Sequence, residues 1–116
     1  MDARRTARVA EAIRQELAEI IGYEMGDPRV SAVMVTEVIL SRDLKTARVK
    51  VAAGEDEERQ RAALEALEGA RHWIRRELAG RLRIWRIPQV HFQADAGGQG
   101  QAGGPEVPGR GQAASG

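Results

Sequence analysis

The chain has 116 residues, 18 Lys and Arg against 17 Asp and Glu, a formal net charge of +1, and no cysteine. That length makes one domain with whatever trails from its ends, large enough to fold without staples. The absence of cysteine excludes disulfides and thiolate metal sites, and no apolar run approaches the roughly 18 residues a membrane span needs.

The N-terminus, MDARRTARVAEAI, lacks the continuous apolar stretch and cleavage site of a signal peptide, so a cytoplasmic place is expected. Residues 4–25 read as a helix. Val9, Ile13, Leu17, Ile20 and Ile21 recur at spacings of three and four and draw one apolar stripe. Arg4, Arg5, Arg8 and Arg14 lie off that stripe among Glu11, Glu16 and Glu19, and Gly26-Asp27-Pro28 stops the helix. Residues 32–40 (AVMVTEVIL) are β-branched and apolar. Plain alternation would place Val33, Val35 and Glu37 on one side, Met34, Thr36 and Val38 on the other. So much apolar character predicts a central strand covered on both faces. Ser41-Arg42-Asp43-Leu44 reads as a turn. Residues 46–52 then alternate, with Ala47, Val49 and Val51 inward and Arg48 and Lys50 outward, completing an antiparallel hairpin.

After Gly54 the run Glu55-Asp56-Glu57-Glu58 opens a second helix, where acids complement the positive end of the helix dipole. Its stripe of Leu64, Leu67, Ala70, Ile74 and Leu78 continues to about residue 79, with a weak point near Gly69-Ala70 and a break at Ala79-Gly80. A last strand is expected over 86–94, with Val90, Phe92 and Ala94 inward, Gln89, His91 and Gln93 outward, and Pro88 at its start or on an edge. From residue 96 the composition falls to Gly, Ala, Gln and Pro, which cannot bury enough surface to offset ordering entropy. The expected organisation is therefore an ordered domain over 1–95 and a disordered tail over 96–116. A helix–strand–strand–helix–helix–strand order predicts an α+β fold, one three-stranded sheet with helices packed on one face.

The stretch Gly69–Phe92 (GARHWIRRELAGRLRIWRIPQVHF) holds six arginines, Arg71, Arg75, Arg76, Arg81, Arg83 and Arg86, against the single acid Glu77, and both tryptophans. In a chain of nearly neutral charge such a concentration is the footprint of a surface that meets phosphate. Four phosphate contacts would weaken binding roughly 150-fold over a fourfold rise in salt. Arg4, Arg5, Arg8, Arg48 and Lys50 form a second set of candidates. Guanidinium also stacks on unpaired bases, which suits RNA. Trp73 borders the apolar stripe and reads as core or rim packing; Trp85 either stacks on a base or packs beneath the helix joint. His72 and His91 lack metal-ligand spacing, so no metal is expected. No hydroxyl stands in a nucleophile-elbow pattern and no phosphate-cradling GxxxxGK[ST] occurs, so neither catalysis nor a cofactor or small-molecule substrate is expected. Gly97-Gly98-Gln99-Gly100 spells the GxxG of RNA-binding KH domains, but no helix follows it.

Three stretches, RRTARVAEAIRQELAEII, DPRVSAVMVTEVILSRDLKTARVKV and LEGARHWIRRELAGRLRIWRIPQVHF, resemble the ribosome-binding factor A family across residues 4–95. The resemblance implies a type II KH-like fold in which an alanine-centred kink replaces the GxxG loop. Ala70 matches that alanine, while His72 stands where the family has glycine. It also implies a bacterial, monomeric, non-catalytic assembly factor that binds the free small ribosomal subunit and assists late processing and maturation of 16S rRNA. The residues alone leave open a general RNA- or DNA-binding module. A helix-turn-helix is disfavoured, because a strand follows the last helix.

Overall fold

The stripe of the first helix becomes the spine of the core. In a computed structural model, which describes residues 3–84 and 86–95, α1 runs Ala3–Glu19 and continues as a single wide π turn, Ile20–Glu24. Ile13, Leu17, Ile20 and Ile21 are buried, and Val9 packs at the edge of the same cluster. The wide turn is closed by the Met25 N–H donating to the Ile20 carbonyl at 3.1 Å. It keeps two successive isoleucines inward, which an ordinary turn spreads by about 100°. Gly26 then takes φ +66°, a conformation that glycine adopts without strain. A short 3₁₀ turn, Pro28–Val30, follows, with Asp27 accepting from the Arg29 N–H and Val30 buried.

β1 (Met34–Leu40) and β2 (Thr46–Ala52) pair antiparallel, and β3 (Gln89–Ala94) pairs parallel to β2. The order β1-β2-β3 makes β2 the central strand. This corrects the reading of 32–40 as central: β1 is an edge, and its Met34 is 66% exposed. The simple alternation is corrected too. The register shifts between Val35 and Glu37, a β-bulge at Thr36, so Val35 and Val38 both face the core while Glu37 faces solvent. The Thr36 hydroxyl donates to the Asp95 carboxylate and lies 3.1 Å from the Lys50 carbonyl oxygen, tying the bulge to the end of β3. β2 follows expectation, with Ala47, Val49 and Val51 buried and Arg48 exposed.

α2 (Glu57–Gly69) is capped by Asp56, whose carboxylate accepts from the Glu58 N–H at 2.9 Å. α3 (Arg71–Arg81) begins after Ala70, the residue at which the helix is interrupted, with φ −97° and ψ 8°. Any residue can adopt those angles, and His72 continues the helix without needing a glycine. Gly80 does not end α3 as the sequence suggested. It lies exposed inside the helix, which continues to Arg81 and stops where Leu82 turns extended. β3 begins at Gln89 rather than 86. Pro88, just before it, has no N–H for the ladder, and the first bond is Gln89 N–H to the Lys45 carbonyl at 2.8 Å. Three helices thus cover one face of a mixed sheet, with Leu67, Ile74, Leu78 and Val90 closing the core, and the element order is the one the resemblance implies. The opposite face is open, carrying Arg48, Lys50, Gln89, His91 and Gln93. The tail expected over 96–116, and Trp85, lie outside the described residues.

Candidate nucleic-acid interface

The six clustered arginines do not act alike, and the structure corrects the expectation that all six face a ligand. Arg81 sits at the end of α3, where that helix meets the far end of α1. Its guanidinium lies 3.5 Å from Glu16, 3.3 Å from Glu19 and 3.8 Å from Glu77, and it is hydrogen-bonded to Glu24. Its side chain is only 22% exposed. Glu24 first, then Glu16, push its pKa further up, against the opposing effect of burial. Four acids surround it, so Arg81 is an internal counter-ion rather than a phosphate ligand. Arg75 is likewise committed. Its Nε donates to the Pro88 carbonyl at 3.1 Å and its Nη2 to the Ile87 carbonyl at 2.9 Å, fastening the approach to β3 onto α3. Arg71 pairs with Glu68, one turn back, at 3.4 Å. Arg71 is half-buried and Glu68 exposed, and a pair at the surface of that kind holds weakly and can exchange for phosphate.

Arg76, Arg83 and Arg86 remain. Each is exposed, and none has a polar partner among the described residues. Arg76 lies on α3 about 200° from the buried Ile74, on the outer side of the helical layer. Arg83 and Arg86 belong to the connection that runs back along α1. The second set divides similarly. Arg48 stands exposed on the open sheet face, and Lys50 beside it reaches Glu37 at 3.7 Å. Arg4, Arg5 and Arg8 are exposed on the first two turns of α1.

Those first turns are informative because their charge is opposite to what helix stability favours. The N-terminus of a helix carries partial positive charge, so arginines there are unfavourable by about 0.3–1 kcal/mol each at the surface. No acid occupies the first turn of α1, and no base the last. An anion bound at that end would meet the partial positive charge of the helix and of these arginines together.

Three elements converge there. Val9 and Ile13 of α1, Leu40, Asp43 and Leu44 of the hairpin turn, and Ile84, Arg86 and Pro88 of the last connection enclose a cavity of about 350 Å³. A second groove beside it, between α1 and β1, brings Arg42 next to Ala3 and Thr6. The end of the molecule at the α1 N-terminus therefore brings Arg42 and Arg86 into grooves shared with α1, whose first two turns carry Arg4, Arg5 and Arg8 on their exposed side, and Lys45 follows in the hairpin connection. Sequence reasoning assigns Arg42 only to a turn and Lys45 to no element. Their signal is the turn's position, which only the convergence with α1 reveals. Of the local acids, Glu11 is engaged by Arg14 at 2.6 Å and by Gln15 at 3.2 Å. Arg14 first, then Gln15, hold its carboxyl down at about 2. Asp43 accepts from the Ser41 hydroxyl and the Lys45 N–H, which keep its carboxyl below the usual range. His72 and His91 are exposed, and no group of residues suited to a metal ion occurs among the described residues. The result is a positively charged end suited to a polyanion, with a separate basic patch on the sheet.

Comparison with known proteins identifies the family. A sequence profile for ribosome-binding factor A matches residues 5–102. A ribosome-binding factor A from Solibacter usitatus is 52% identical over 95 residues, which are 82% of this chain and 77% of that protein. The crystal structure of ribosome-binding factor A from Thermus thermophilus superposes with a TM-score of 0.70 at 34% identity, covering 77% of this chain and 93% of that one. The Thermus protein as fitted into a cryo-EM map of a 30S complex aligns with a TM-score of 0.64 at 34% identity, covering 76% and 92%. With the matched profile spanning most of its length and relatives this similar, the chain belongs to the ribosome-binding factor A family.

Proposed function

We propose that this protein binds the free small ribosomal subunit in the cytoplasm, as a monomer, and assists late processing and maturation of 16S rRNA without catalysing a reaction itself. The observation that carries this reading is that a family relative has been fitted into a map of its complex with the 30S subunit. The basic end of this chain supplies chemistry suited to the same task. Arg4, Arg5, Arg8, Arg42, Lys45, Arg83 and Arg86 would neutralise phosphates along one strand of RNA, with Arg71, Arg76, Arg48 and Lys50 as outlying contacts. Such contacts position a protein on folded RNA, and the shape of the RNA selects the site. The domain itself, residues 1–95, is the proposed RNA-binding unit.

Co-sedimentation with purified small subunits tests the reading. The double variant Arg83→Glu/Arg86→Glu should lose co-sedimentation while keeping the wild-type melting temperature. Binding undiminished by these reversals would refute the assignment of the basic end. Equal affinity of the unmodified protein for duplex DNA and for small subunits would favour a general nucleic-acid module instead.

A further inference from the structure

Phosphate contacts leave the cavity at the basic end unused, because its walls are apolar. At about 350 Å³ it falls within the roughly 300–1,000 Å³ of sites that enclose small ligands. The buried Ile13 lines it together with the exposed Asp43 and Arg86. Leu44, which lines it, has φ 61°, the left-handed region that a bulky residue avoids and that glycine or asparagine would occupy without strain. Strain of this kind persists where the surroundings impose it and clusters at ligand sites. Here the leucine supplies a wall that glycine or asparagine could not.

Asp43 adds selectivity. Its Oδ1 accepts from the Ser41 hydroxyl at 2.7 Å and the Lys45 N–H at 3.0 Å, which fixes the carboxylate. Neither of these two bonds falls on its Oδ2. An ionised carboxylate only accepts. Among the bases, guanine alone presents two adjacent donors, N1–H and N2–H, on its Watson–Crick edge. The corresponding edges of adenine, cytosine and uracil set an acceptor beside each donor, and a carboxylate repels that acceptor. Arg86 at the cavity, with the arginines of the first turns of α1 at the same end, favours a ligand attached to phosphates, which distinguishes a base of RNA from an apolar peptide.

We infer that this cavity receives one unpaired base extruded from the bound RNA, and that Asp43 makes guanine the preferred base. The inference rests on reading the basic end as an RNA grip. Sequence-specific recognition of RNA commonly takes this form, with a splayed base read on its edge while the backbone is held by cations.

The test uses the full chain with methyl-labelled side chains and three RNA pentanucleotides, UUGUU, UUAUU and UUUUU. Affinity is read by fluorescence anisotropy and occupancy by the methyl shifts of Val9, Leu40, Leu44 and Ile84. The guanine RNA should bind about tenfold more tightly than the others and should shift all four methyl groups. Asp43→Asn, which keeps the carbonyl that Ser41 and Lys45 need, should lower the guanine RNA to the level of the uridine RNA. Val9→Trp, at a half-buried position on α1, should fill the cavity and remove the preference with the fold intact. Arg8→Glu/Arg42→Glu should weaken all three RNAs alike. Equal binding of the three with unshifted cavity methyls would overturn the base site and leave the RNA reading standing. Failure to bind any pentanucleotide while still co-sedimenting with small subunits would also remove the base site alone. Failure of both would remove the reading beneath it.

Discussion

Replacing Arg75 with alanine separates the two roles a clustered arginine can have. Its guanidinium makes two hydrogen bonds, to the Pro88 and Ile87 carbonyls, and Pro88 is fully buried. A hydrogen bond from a charged donor contributes about 1.5–3 kcal/mol, and a buried acceptor left unpaired costs about 1–3 kcal/mol. Ile87 is half-buried, so water can replace part of what is lost at its carbonyl. Counting the bond to the buried Pro88 alone, the loss is about 2 kcal/mol. In a domain this size that corresponds to a fall in melting temperature of roughly 10 °C. Circular dichroism at the helix band measures the melting temperature, and urea titration should show a lowered midpoint with an unchanged slope. Arg75→Lys should recover little, since an ammonium cannot span both carbonyls as the planar fork does. Binding to small subunits, measured well below the melting temperature, should change little. The neighbouring Arg76→Ala should do the reverse, with stability within about 0.5 kcal/mol of wild type and weaker binding. An Arg75→Ala protein that melts normally yet binds as poorly as Arg76→Ala would refute the assignment of Arg75 to the fold.

Further outcomes are open to measurement. Arg83→Ala and Arg86→Ala should each lower the slope of log affinity against log salt by about 1 if each contacts one phosphate; an unchanged slope would place that residue off the RNA. Gly54, at φ 90°, should be destabilised by about 1–2 kcal/mol on conversion to alanine. Gly80, exposed within α3 and with nothing within 4 Å of where a Cβ would stand, should be stabilised by about 0.5–1 kcal/mol by the same change; equal signs for the two would contradict their assigned conformations. Glu11 has a native carboxyl value of about 2 against an ordinary 4.5, so its contribution is complete above 4.5 and disappears as pH falls toward 2. Glu11→Gln should therefore lose less stability over that acid range than wild type, by a small margin that salt reduces further.

Local periodicity carried a large part of the fold. Ile13, Leu17 and Ile20 repeat with helical spacing and Val49 and Val51 with strand spacing, and all are buried. What escaped were features decided by another part of the chain. The bulge at Thr36 depends on Asp95, and the edge position of β1 depends on β3 choosing β2. The site shows the same division. The density of arginine from 71 to 86 is plain in the letters, but the acids on α1 and its π turn that claim Arg81 lie 57 to 65 residues earlier. The carbonyls that claim Arg75 are invisible to any reading of side-chain types. Arg42 and Lys45 owe their place at the basic end to the packing of the hairpin turn near the start of α1, which no local pattern encodes.

The parallel pairing of β2 with β3 has a consequence for synthesis. An N-terminal helix and hairpin can form as soon as they leave the ribosome, but the central strand keeps one side bare until Gln89–Ala94 has emerged. Distant pairing of this kind is slow, because the intervening chain must first be closed into a loop. Arg81 must also arrive before the acids on α1 are neutralised. A nascent chain halted short of residue 94 therefore displays an unfinished sheet and an uncompensated acidic patch, and completion of the last strand is the event that commits the molecule to its native state.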